Sequence, residues 1–317
     1  MDKNILHLIL ILLIISILFK INYESFTTSF IDFINTTNNI AKNNAICFIT
    51  RTLDPKTLEF AESCTEFNDV YIVVDDNNQE IVQDSASNVK IIRLDNSECS
   101  DNNYIRSTSR FNLDVTGWDK AFYYFCKKNK VYDNVWFIED DVFIPSSNTL
   151  YNLDLLYLSE DLIVREMSNI TDNKSSNQNW LDKIQGFKNL TNYNSGSLTN
   201  YNDNDNNNES YAYLNSKQKP VYWSWVCAMR CSKKLLKLVN EFSINYKQLY
   251  FHEMMIPSLV KNNNLSYSKI PELKNIVYRK EYDDEDIISN PSFLYHPMKD
   301  YERHEKLRIR IKNSMDI

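Results

Sequence analysis

Four short, mainly apolar segments in the first half of the chain limit its fold more than any other feature of the sequence. They span residues 45–50, 70–74, 89–94 and 134–138. Strands that are apolar on both faces are typical of a largely parallel sheet covered by helices. Helical patterns separate them, at Pro55–Phe67 behind an Asp54 N-cap and at Asp114–Lys128. We therefore predict an α/β domain with a mostly parallel, twisted sheet flanked by helices.

The second half of the chain predicts fewer regular elements. We expect one strand at 220–229, followed by helices at 232–242 and 252–261. Residues 166–219 are rich in Asn, Ser, Asp and Lys, and we interpret them as a partly disordered insertion because they offer little apolar area to bury. The predicted domain then covers 45–300, and 301–317 form a charged C-terminal tail.

The N-terminus carries an uncharged apolar run, Ile5–Phe19. A helix extended to Tyr23 is about 28 Å long, close to the roughly 30 Å of a bilayer core. No small-residue cleavage site follows the run, so we expect an uncleaved signal anchor at 1–23 and a stem at 24–44, with a cleaved signal peptide as the alternative. We thus expect a single-pass type II membrane protein with a lumenal, Golgi- or ER-like domain, or one associated with a viral or host membrane.

Composition excludes several classes of function. A net charge of −7 and a pI near 5.3 argue against nucleic-acid binding, since no basic surplus exists to neutralise phosphates. The chain has 3 glycines, so a P-loop, a dinucleotide-binding fingerprint and a nucleophile elbow cannot be written in it. If the protein binds phosphate, a metal ion or side chains must do it.

The strongest chemical signal is Glu139-Asp140-Asp141, directly after the fourth apolar segment. Three adjacent carboxylates repel one another unless a cation compensates them. Hard divalent ions such as Mn²⁺ and Mg²⁺ take carboxylates together with phosphate oxygens and water. Ligands of α/β sheets bind beyond the carboxyl ends of the strands, so we predict a metal site here, with a solvated acidic turn as the alternative.

This segment resembles the metal-binding DxD or EDD motif of GT-A-class glycosyltransferases, which use nucleotide-sugar donors. The spelling is similar to the N-acetylglucosaminyltransferase I type and to galactosyltransferases with an E-D-D-V motif. With Trp118-Asp119-Lys120-Ala121-Phe122, it also resembles uncharacterised GT-A-like proteins of algae and giant viruses. The resemblance implies a GT-A-like fold, in which Asp141 binds the metal while Asp140 and Glu139 contact the ribose or a metal-bound water.

The same resemblance implies roles for residues near the ends of the other strands. Those on the nucleotide side would be Thr50, Arg51, Asp75 and Asp76. Arg106 and Arg110 precede the helix at Asp114 and are candidates to neutralise donor phosphate. An ordinary turn explains the Asp75-Asp76 pair equally well. Exposed arginines are common in any protein.

Two residues late in the chain complete the predicted site. Glu253 opens a helix, and the resemblance makes it the candidate base that deprotonates the acceptor hydroxyl. A helix N-terminal Glu stabilised by the macrodipole is the alternative. His296 is the candidate second metal ligand, since neutral imidazole suits Mn²⁺, and a packed core histidine is its alternative.

Together these features predict a metal-dependent glycosyltransferase that moves a sugar from a nucleotide-diphosphate sugar, such as a UDP-sugar, to a hydroxyl of a glycan or protein acceptor. Inversion at the anomeric carbon is expected, and retention stays open. Two alternatives stay open: a non-catalytic glycan- or metal-binding GT-A relative, and a sugar-phosphate nucleotidyltransferase. The latter needs a Gly-rich loop after the first strand, and residues 50–55 contain no glycine.

Overall fold

A computed structural model describes residues 43–81, 86–108, 113–170, 178–193 and 220–315. The predicted membrane anchor, nearly all of the stem and Arg110 lie outside these ranges. Within them, no helix is both long and apolar enough to cross a membrane. The described residues belong to one unit, Asn43–Ile317.

A seven-stranded mixed sheet with the order β3-β2-β1-β4-β8-β5-β9 forms the centre of the fold. In chain order the strands are β1 (Asn44–Thr50), β2 (Asp69–Val74), β3 (Lys90–Ile92), β4 (Asn134–Glu139), β5 (Leu162–Val164), β6 (Ser168–Asn169), β7 (Tyr222–Trp223), β8 (Ala228–Ser232), β9 (Tyr267–Lys269), β10 (Asn275–Ile276) and β11 (Tyr295–His296). Strands β1 to β4 are mutually parallel, and β8 runs antiparallel to both of its neighbours. The predicted α/β fold with a mostly parallel sheet is confirmed.

Helices cover both faces of this sheet. They are α1 (Pro55–Cys64), α2 (Asn96–Asp101), α3 (Gly117–Tyr123, continued by a π-helical turn at Tyr124–Lys128), α4 (Thr149–Leu156), α5 (Gln178–Tyr193), α6 (Lys233–Tyr246), α7 (His252–Asn262), α8 (Asp284–Ile288) and α9 (Tyr301–Met315). All seven residues of β1 are buried. Ala45 and Cys47 pack into one core layer, while Ile46 and Phe48 pack into the other. Covering on both faces explains why this strand is apolar throughout.

The register of the parallel strands brings their carboxyl ends to one edge. Thr50 lies opposite Val74, and Ile49 lies opposite Glu139. The backbone pairing continues one step beyond the strands, where the Asp140 amide donates to Ile49 O at 3.1 Å. Because β8 is antiparallel, its first residues reach the same edge, and the Glu139 amide donates to Cys227 O at 2.8 Å.

The predicted strand at 220–229 is wrong as one element. The structure divides it into β7, which pairs with β6 in a separate two-stranded sheet, and β8, which pairs with β4 and β5. The chain changes sheets between Ser224 and Cys227. A continuous apolar run does not reveal such a break, because both pieces are apolar and hydrophobicity alone does not assign strands to a sheet.

Two segments outside the predicted core also form helices. The part of 166–219 that is described includes α5, whose Ile184 and Phe187 are buried in the main core. Residues 301–315 of the expected charged tail form α9, which buries Leu307 and Ile311 at helical spacing. Charged residues are so frequent in α9 that this narrow apolar stripe was not recognised in the sequence.

A buried ion pair joins β8 to α4. Arg230 Nη1 lies 3.0 Å from Asp154 Oδ1, and both side chains are fully buried. Trp136 Nε1 donates to the same carboxylate oxygen at 2.9 Å. Burial raises the pKa of Asp154, and Arg230 counteracts this rise.

Replacing Asp154 with alanine leaves the Arg230 charge buried without its anion. We expect the free energy of unfolding to fall by about 3–5 kcal/mol, the usual result of breaking one side of a buried pair. Urea denaturation measures it. Asp101→Ala, at the exposed end of α2, is the matched control and should change stability by less than about 0.5 kcal/mol. Equal stability of the two variants would contradict the prediction.

Candidate functional site

Glu139, Asp141 and His296 come together at the carboxyl edge of the sheet. His296 Nε2 lies 3.2 Å from Asp141 Oδ1 and 3.6 Å from Glu139 Oε2. Strand β11 supplies the histidine from near the end of the chain, and the Met298 amide donates to Asp141 O at 2.7 Å. The structure thus brings the predicted metal ligands Asp141 and His296 into contact.

The orientation of the His296 ring suits a metal ligand. Its Nδ1 lies 2.6 Å from Val277 O, and because a carbonyl only accepts, Nδ1 carries a proton and donates. With Nδ1 held by this bond, Nε2 faces the carboxylates and is the nitrogen that would bind a metal in place of its proton, as in many metal-binding histidines. Burial lowers the pKa of His296, but Asp141 and Glu139 outweigh burial and raise it to about 10. The two carboxylates therefore attract positive charge at Nε2, whether a proton or a cation.

Cys227 is a further candidate ligand, with a sulfur atom, that the sequence did not predict. Glu139, Cys227 and His296 each offer one ligand atom, and these three atoms lie within 4.8 Å of one another. Burial, followed by the charges of Glu139 and Glu253, raises the pKa of the Cys227 thiol. A metal would have to displace this proton, as metals commonly do at thiols.

Glu139 is held by a second donor. Trp118 Nε1 donates to Glu139 Oε1 at 2.9 Å, so the two carboxylate oxygens face different partners. Burial raises the pKa of Glu139, but the hydrogen bond and charge of His296, with the Trp118 donor, outweigh it and lower the pKa to about 2. This carboxylate is ionised at any physiological pH.

Asp140 turns away from His296. Its Oδ2 accepts hydrogen bonds from Thr50 Oγ1 and, at 2.9 Å, from Tyr301 Oη of α9. Burial and the neighbouring carboxylates raise the pKa of Asp140, although the Thr50 and Tyr301 hydroxyls oppose that rise. The three consecutive acidic residues thus have different surroundings, and Glu139 and Asp141 are the two that face the histidine.

The start of α3 lies beside the site, where Gly117 and Trp118 form part of its wall. Asp119 accepts from the Thr116 and Ser107 amides at 2.8 Å, which caps α3 and fixes the preceding loop. Lys120 is fully buried, and its Nζ lies 2.6 Å from Asp75 O and 3.2 Å from Asp75 Oδ1. A Cβ on Gly117 would lie 3.0 Å from Ile49 Cγ2. Glycine therefore lets α3 approach β1 closely.

Glu253 is positioned by a proline in its own helix. Pro257 has no amide hydrogen, so it cannot donate to the carbonyl four residues earlier. That carbonyl, Glu253 O, accepts instead from the Ser224 amide at 2.9 Å. Trp223 Nε1 donates to Glu253 Oε2 at 3.0 Å. The helix start is thereby joined to the segment that leads into Cys227.

Two cavities meet at the acidic motif. One, of about 350 Å³, lies at the ends of β1 and β2 and is lined by Thr50, Arg51 and Asp75. The other, of about 330 Å³, is lined by Glu253, His296 and Cys227. Three residues line both cavities: Thr108, Glu139 and Asp141. Each cavity is within the size range of small-molecule sites.

An unsatisfied hydroxyl lies at the junction of the cavities. Thr108 Oγ1 is buried and has no hydrogen-bond partner among the described residues. Buried polar atoms are rarely left unpaired, and a polar ligand at the junction would supply the missing partner.

The remaining predicted residues are divided between the site and the surface. Arg51 and Asp75 line the first cavity. Asp76 Oδ1 accepts from the Asn78 amide at 2.8 Å, as expected of a turn. Arg106 donates to Asp114 and Gln248, each at 3.1 Å, and does not line either cavity as the described residues define them. Arg110 lies outside the described residues.

Several residues that line the second cavity carried no signal in the sequence. They are Thr108, Tyr278, Arg279 and Lys299. Arg279 and Lys299 bring positive charge to a cavity that otherwise contains carboxylates. Pro257 is a further signal in the sequence, because a proline four residues after Glu253 frees that carbonyl for a tertiary contact.

The donor set fits a divalent transition metal. It combines carboxylates, one imidazole with a fixed tautomer and one thiol. Carboxylate and imidazole suit Mn²⁺, while the sulfur also favours softer ions such as Co²⁺ and Zn²⁺.

Cobalt provides a direct test of the sulfur ligand. We expect Co²⁺ to bind with a thiolate-to-metal charge-transfer band in the near ultraviolet, because the metal deprotonates a thiol that it coordinates. Cys227→Ser should abolish the band. Cys231→Ser alters a fully buried thiol in β8, the strand that follows Cys227, and should keep the charge-transfer band. A band that survives in Cys227→Ser would exclude this cysteine as a ligand.

These features define an α/β protein with a candidate metal centre at the carboxyl edge of its sheet and a cavity on each side of that centre. No protein-family model and no curated protein matches the sequence. Among solved structures, the apo form of mouse xyloside xylosyltransferase 1 is similar, with 9% identity and a TM-score of 0.31 over 72% of this chain and 84% of that chain. A similarity this distant carries no weight for function, which must be inferred from the site.

Proposed function

We propose that the protein is a metal-dependent glycosyltransferase with a GT-A-like fold. One observation carries the proposal: Glu139, Asp141 and His296 meet between two cavities, one beside strand-end residues and one beside a further carboxylate, Glu253. A group-transfer enzyme needs such an arrangement, because donor and acceptor must meet at one point from two sides.

The cavity at the ends of β1 and β2 suits the nucleoside diphosphate. It lies in the position where α/β sheets bind ligands, and Arg51 and Asp75 offer a phosphate partner and a hydrogen-bond acceptor for a sugar hydroxyl or base. Its wall also contains Glu139 and Asp141, which would repel a diphosphate. Binding of a diphosphate here therefore requires a cation between the phosphates and the carboxylates.

The residues that would hold this cation are Asp141, His296 and Glu139, with Cys227 as an additional ligand. Bound there, Mn²⁺ or Mg²⁺ would neutralise charge that develops on the departing diphosphate. Val277 O keeps the histidine in its ligating tautomer, and Trp118 holds one oxygen of Glu139. Both contacts fix the ligands before the substrate arrives.

The second cavity suits the transferred sugar and the acceptor. Glu253 would accept the proton of the acceptor hydroxyl as its oxygen bonds to the anomeric carbon and the nucleoside diphosphate leaves. Trp225 and Tyr278 stack at 5.8 Å and 10°, which presents aromatic surface to this cavity. We propose an inverting reaction because Glu253 lines the second cavity and is not among the described residues that line the donor cavity, so it can meet an acceptor hydroxyl there.

A donor screen tests the proposal. We expect the purified full chain to hydrolyse or transfer from one nucleotide sugar, with UDP-sugars preferred over GDP-sugars, and only when Mn²⁺ or Mg²⁺ is present. Release of nucleoside diphosphate measures turnover, and removal of the metal by EDTA should stop it. Metal binding without turnover of any donor would favour a non-catalytic relative. Turnover that EDTA does not affect would refute the metal-dependent mechanism.

A further inference from the structure

A third cavity, of about 620 Å³, lies at the opposite edge of the sheet from the metal centre. Its apolar floor consists of Phe125, Cys126, Tyr132, Val135 and Leu236, whose side chains are all buried. Val135 stands near the start of β4, whereas Glu139 ends that strand. The cavity is therefore separate from the proposed catalytic site.

Lysines surround this apolar floor. Lys130, Lys233, Lys234 and Lys237 line the cavity, and all four are exposed. Glu241 is the one acidic residue among its described lining residues. This excess of positive charge belongs to a chain whose net charge is −7, so it is local and contrary to the overall composition.

The position of two of these lysines is electrostatically unfavourable. Lys233 and Lys234 are the first residues of α6, a helix of 14 residues whose first turn contains no acidic residue. The positive end of the helix dipole adds to their charge. A bound anion would relieve this repulsion.

The shape and charge of the cavity together specify its ligand. An apolar interior bordered by lysines fits a molecule with a hydrocarbon chain and an anionic headgroup. A nucleotide fits less well, because the uncharged polar side chains among the described lining residues, Asn129, Tyr132 and Asn240, are already hydrogen-bonded within the protein. We propose that this cavity binds the chain of an anionic membrane lipid, with the headgroup on the lysine rim.

The first described residue of the chain, Asn43, lies close to this cavity. Asn43, where the described domain begins, donates through Nδ2 to Asp133 Oδ2 at 2.6 Å. The Lys233 amide donates to Asp133 O at 2.8 Å. Asn43 therefore lies beside the cavity rim. The membrane source of the lipid is inferred from the sequence alone, from the apolar run Ile5–Phe19 that is predicted to be an anchor.

Photo-crosslinking tests the proposal without relying on the glycosyltransferase activity. The full chain in phosphatidylcholine vesicles is exposed to palmitate that bears a diazirine on its chain, and modified peptides are mapped by mass spectrometry. We expect modification of the peptides that contain Phe125–Val135 and Leu236. The alcohol with the same diazirine chain should label them far less, because it lacks the anionic headgroup.

Charge reversal at the rim separates specific from general binding. In the double variant Lys233→Glu/Lys234→Glu, we expect the half-saturating palmitate concentration to rise by roughly thirtyfold or more, because the loss of two lysines at an anionic lipid accounts for about that factor and the two new carboxylates add repulsion. Lys306→Glu/Lys312→Glu, on the exposed face of α9, changes the net charge equally and should label like the wild type. Lys237→Trp, which places a bulky ring at the mouth from an exposed position, should also prevent labelling.

Three results would overturn the proposal. They are the lack of labelling in the wild type, equal labelling by the alcohol, and labelling of the Lys233→Glu/Lys234→Glu variant at the wild-type concentration. Thermal unfolding of each variant shows whether it is folded. If the charge-reversal variant is unfolded, the Lys237→Trp variant, which is changed at an exposed position, takes its place in the test.

Discussion

Replacing Asp141 with alanine is expected to reduce both Mn²⁺ affinity and donor turnover, each by about a hundredfold or more, because the ion supplies several kcal/mol of charge stabilisation. In the wild type, Asp141 Oδ1 lies 3.2 Å from His296 Nε2, so both atoms face the same point. Alanine removes one anionic ligand but preserves the backbone bond from Met298 to Asp141 O. The loss should therefore be confined to the metal site.

Calorimetric titration with Mn²⁺ and release of nucleoside diphosphate measure the two effects separately. Asp76→Ala is the matched control, since it removes a carboxylate that follows a neighbouring strand and pairs with the Asn78 amide in a turn. It should leave Mn²⁺ affinity unchanged. If Asp141→Ala bound Mn²⁺ and turned over donor like the wild type, the proposed metal centre would be refuted.

The fold was largely predictable because its strongest signals are local. Strands β1, β2 and β4 are buried on both faces, so each is apolar throughout, and their alternation with helices indicates a covered parallel sheet. The break between β7 and β8 was not predictable. It depends on which sheet each piece joins, and that choice is made by partners distant in the sequence.

The site shows the same division between local and distant information. The acidic motif could be recognised in the sequence because three carboxylates after a strand repel one another unless a cation is bound. Cys227 could not be, since it sits in an apolar run and is indeed buried, yet its sulfur lies among Glu139 and His296. Burial and ligation are compatible for a thiol, so hydrophobicity cannot distinguish a structural cysteine from a ligand.

Within the acidic motif, the roles of the three residues required the structure. The resemblance assigned Asp141 to the metal and treated Glu139 and Asp140 alike, and strand alternation could not separate these two because it ends at Glu139, where a turn follows. The contacts of Asp140 with Thr50 and Tyr301 depend on α9, which the sequence did not identify as a packed helix. Asp140 is thus expected to hold the acidic motif in place through Thr50 and Tyr301, while Asp141 faces His296.

Glu253→Gln is expected to reduce sugar transfer by roughly 10²- to 10⁴-fold, the usual contribution of a general base. The amide oxygen of glutamine can still accept from Trp223 Nε1, and the backbone bond from Ser224 to Glu253 O does not involve the side chain. The substitution therefore removes the proton acceptor while it preserves the local structure. Affinity for Mn²⁺ and nucleoside diphosphate should remain unchanged.

Transfer to an acceptor and binding of the nucleotide must be measured on the same preparation. Loss of transfer with unchanged nucleotide binding is the result that identifies a base. Glu59→Gln, on the exposed side of α1, is the control and should transfer normally. Full transfer by Glu253→Gln would remove this residue from the chemistry and favour a retaining reaction, in which the acceptor proton leaves with the donor phosphate. Loss of nucleotide binding together with transfer would assign Glu253 a positioning role, since a base acts on the acceptor and contributes nothing to the affinity for the donor.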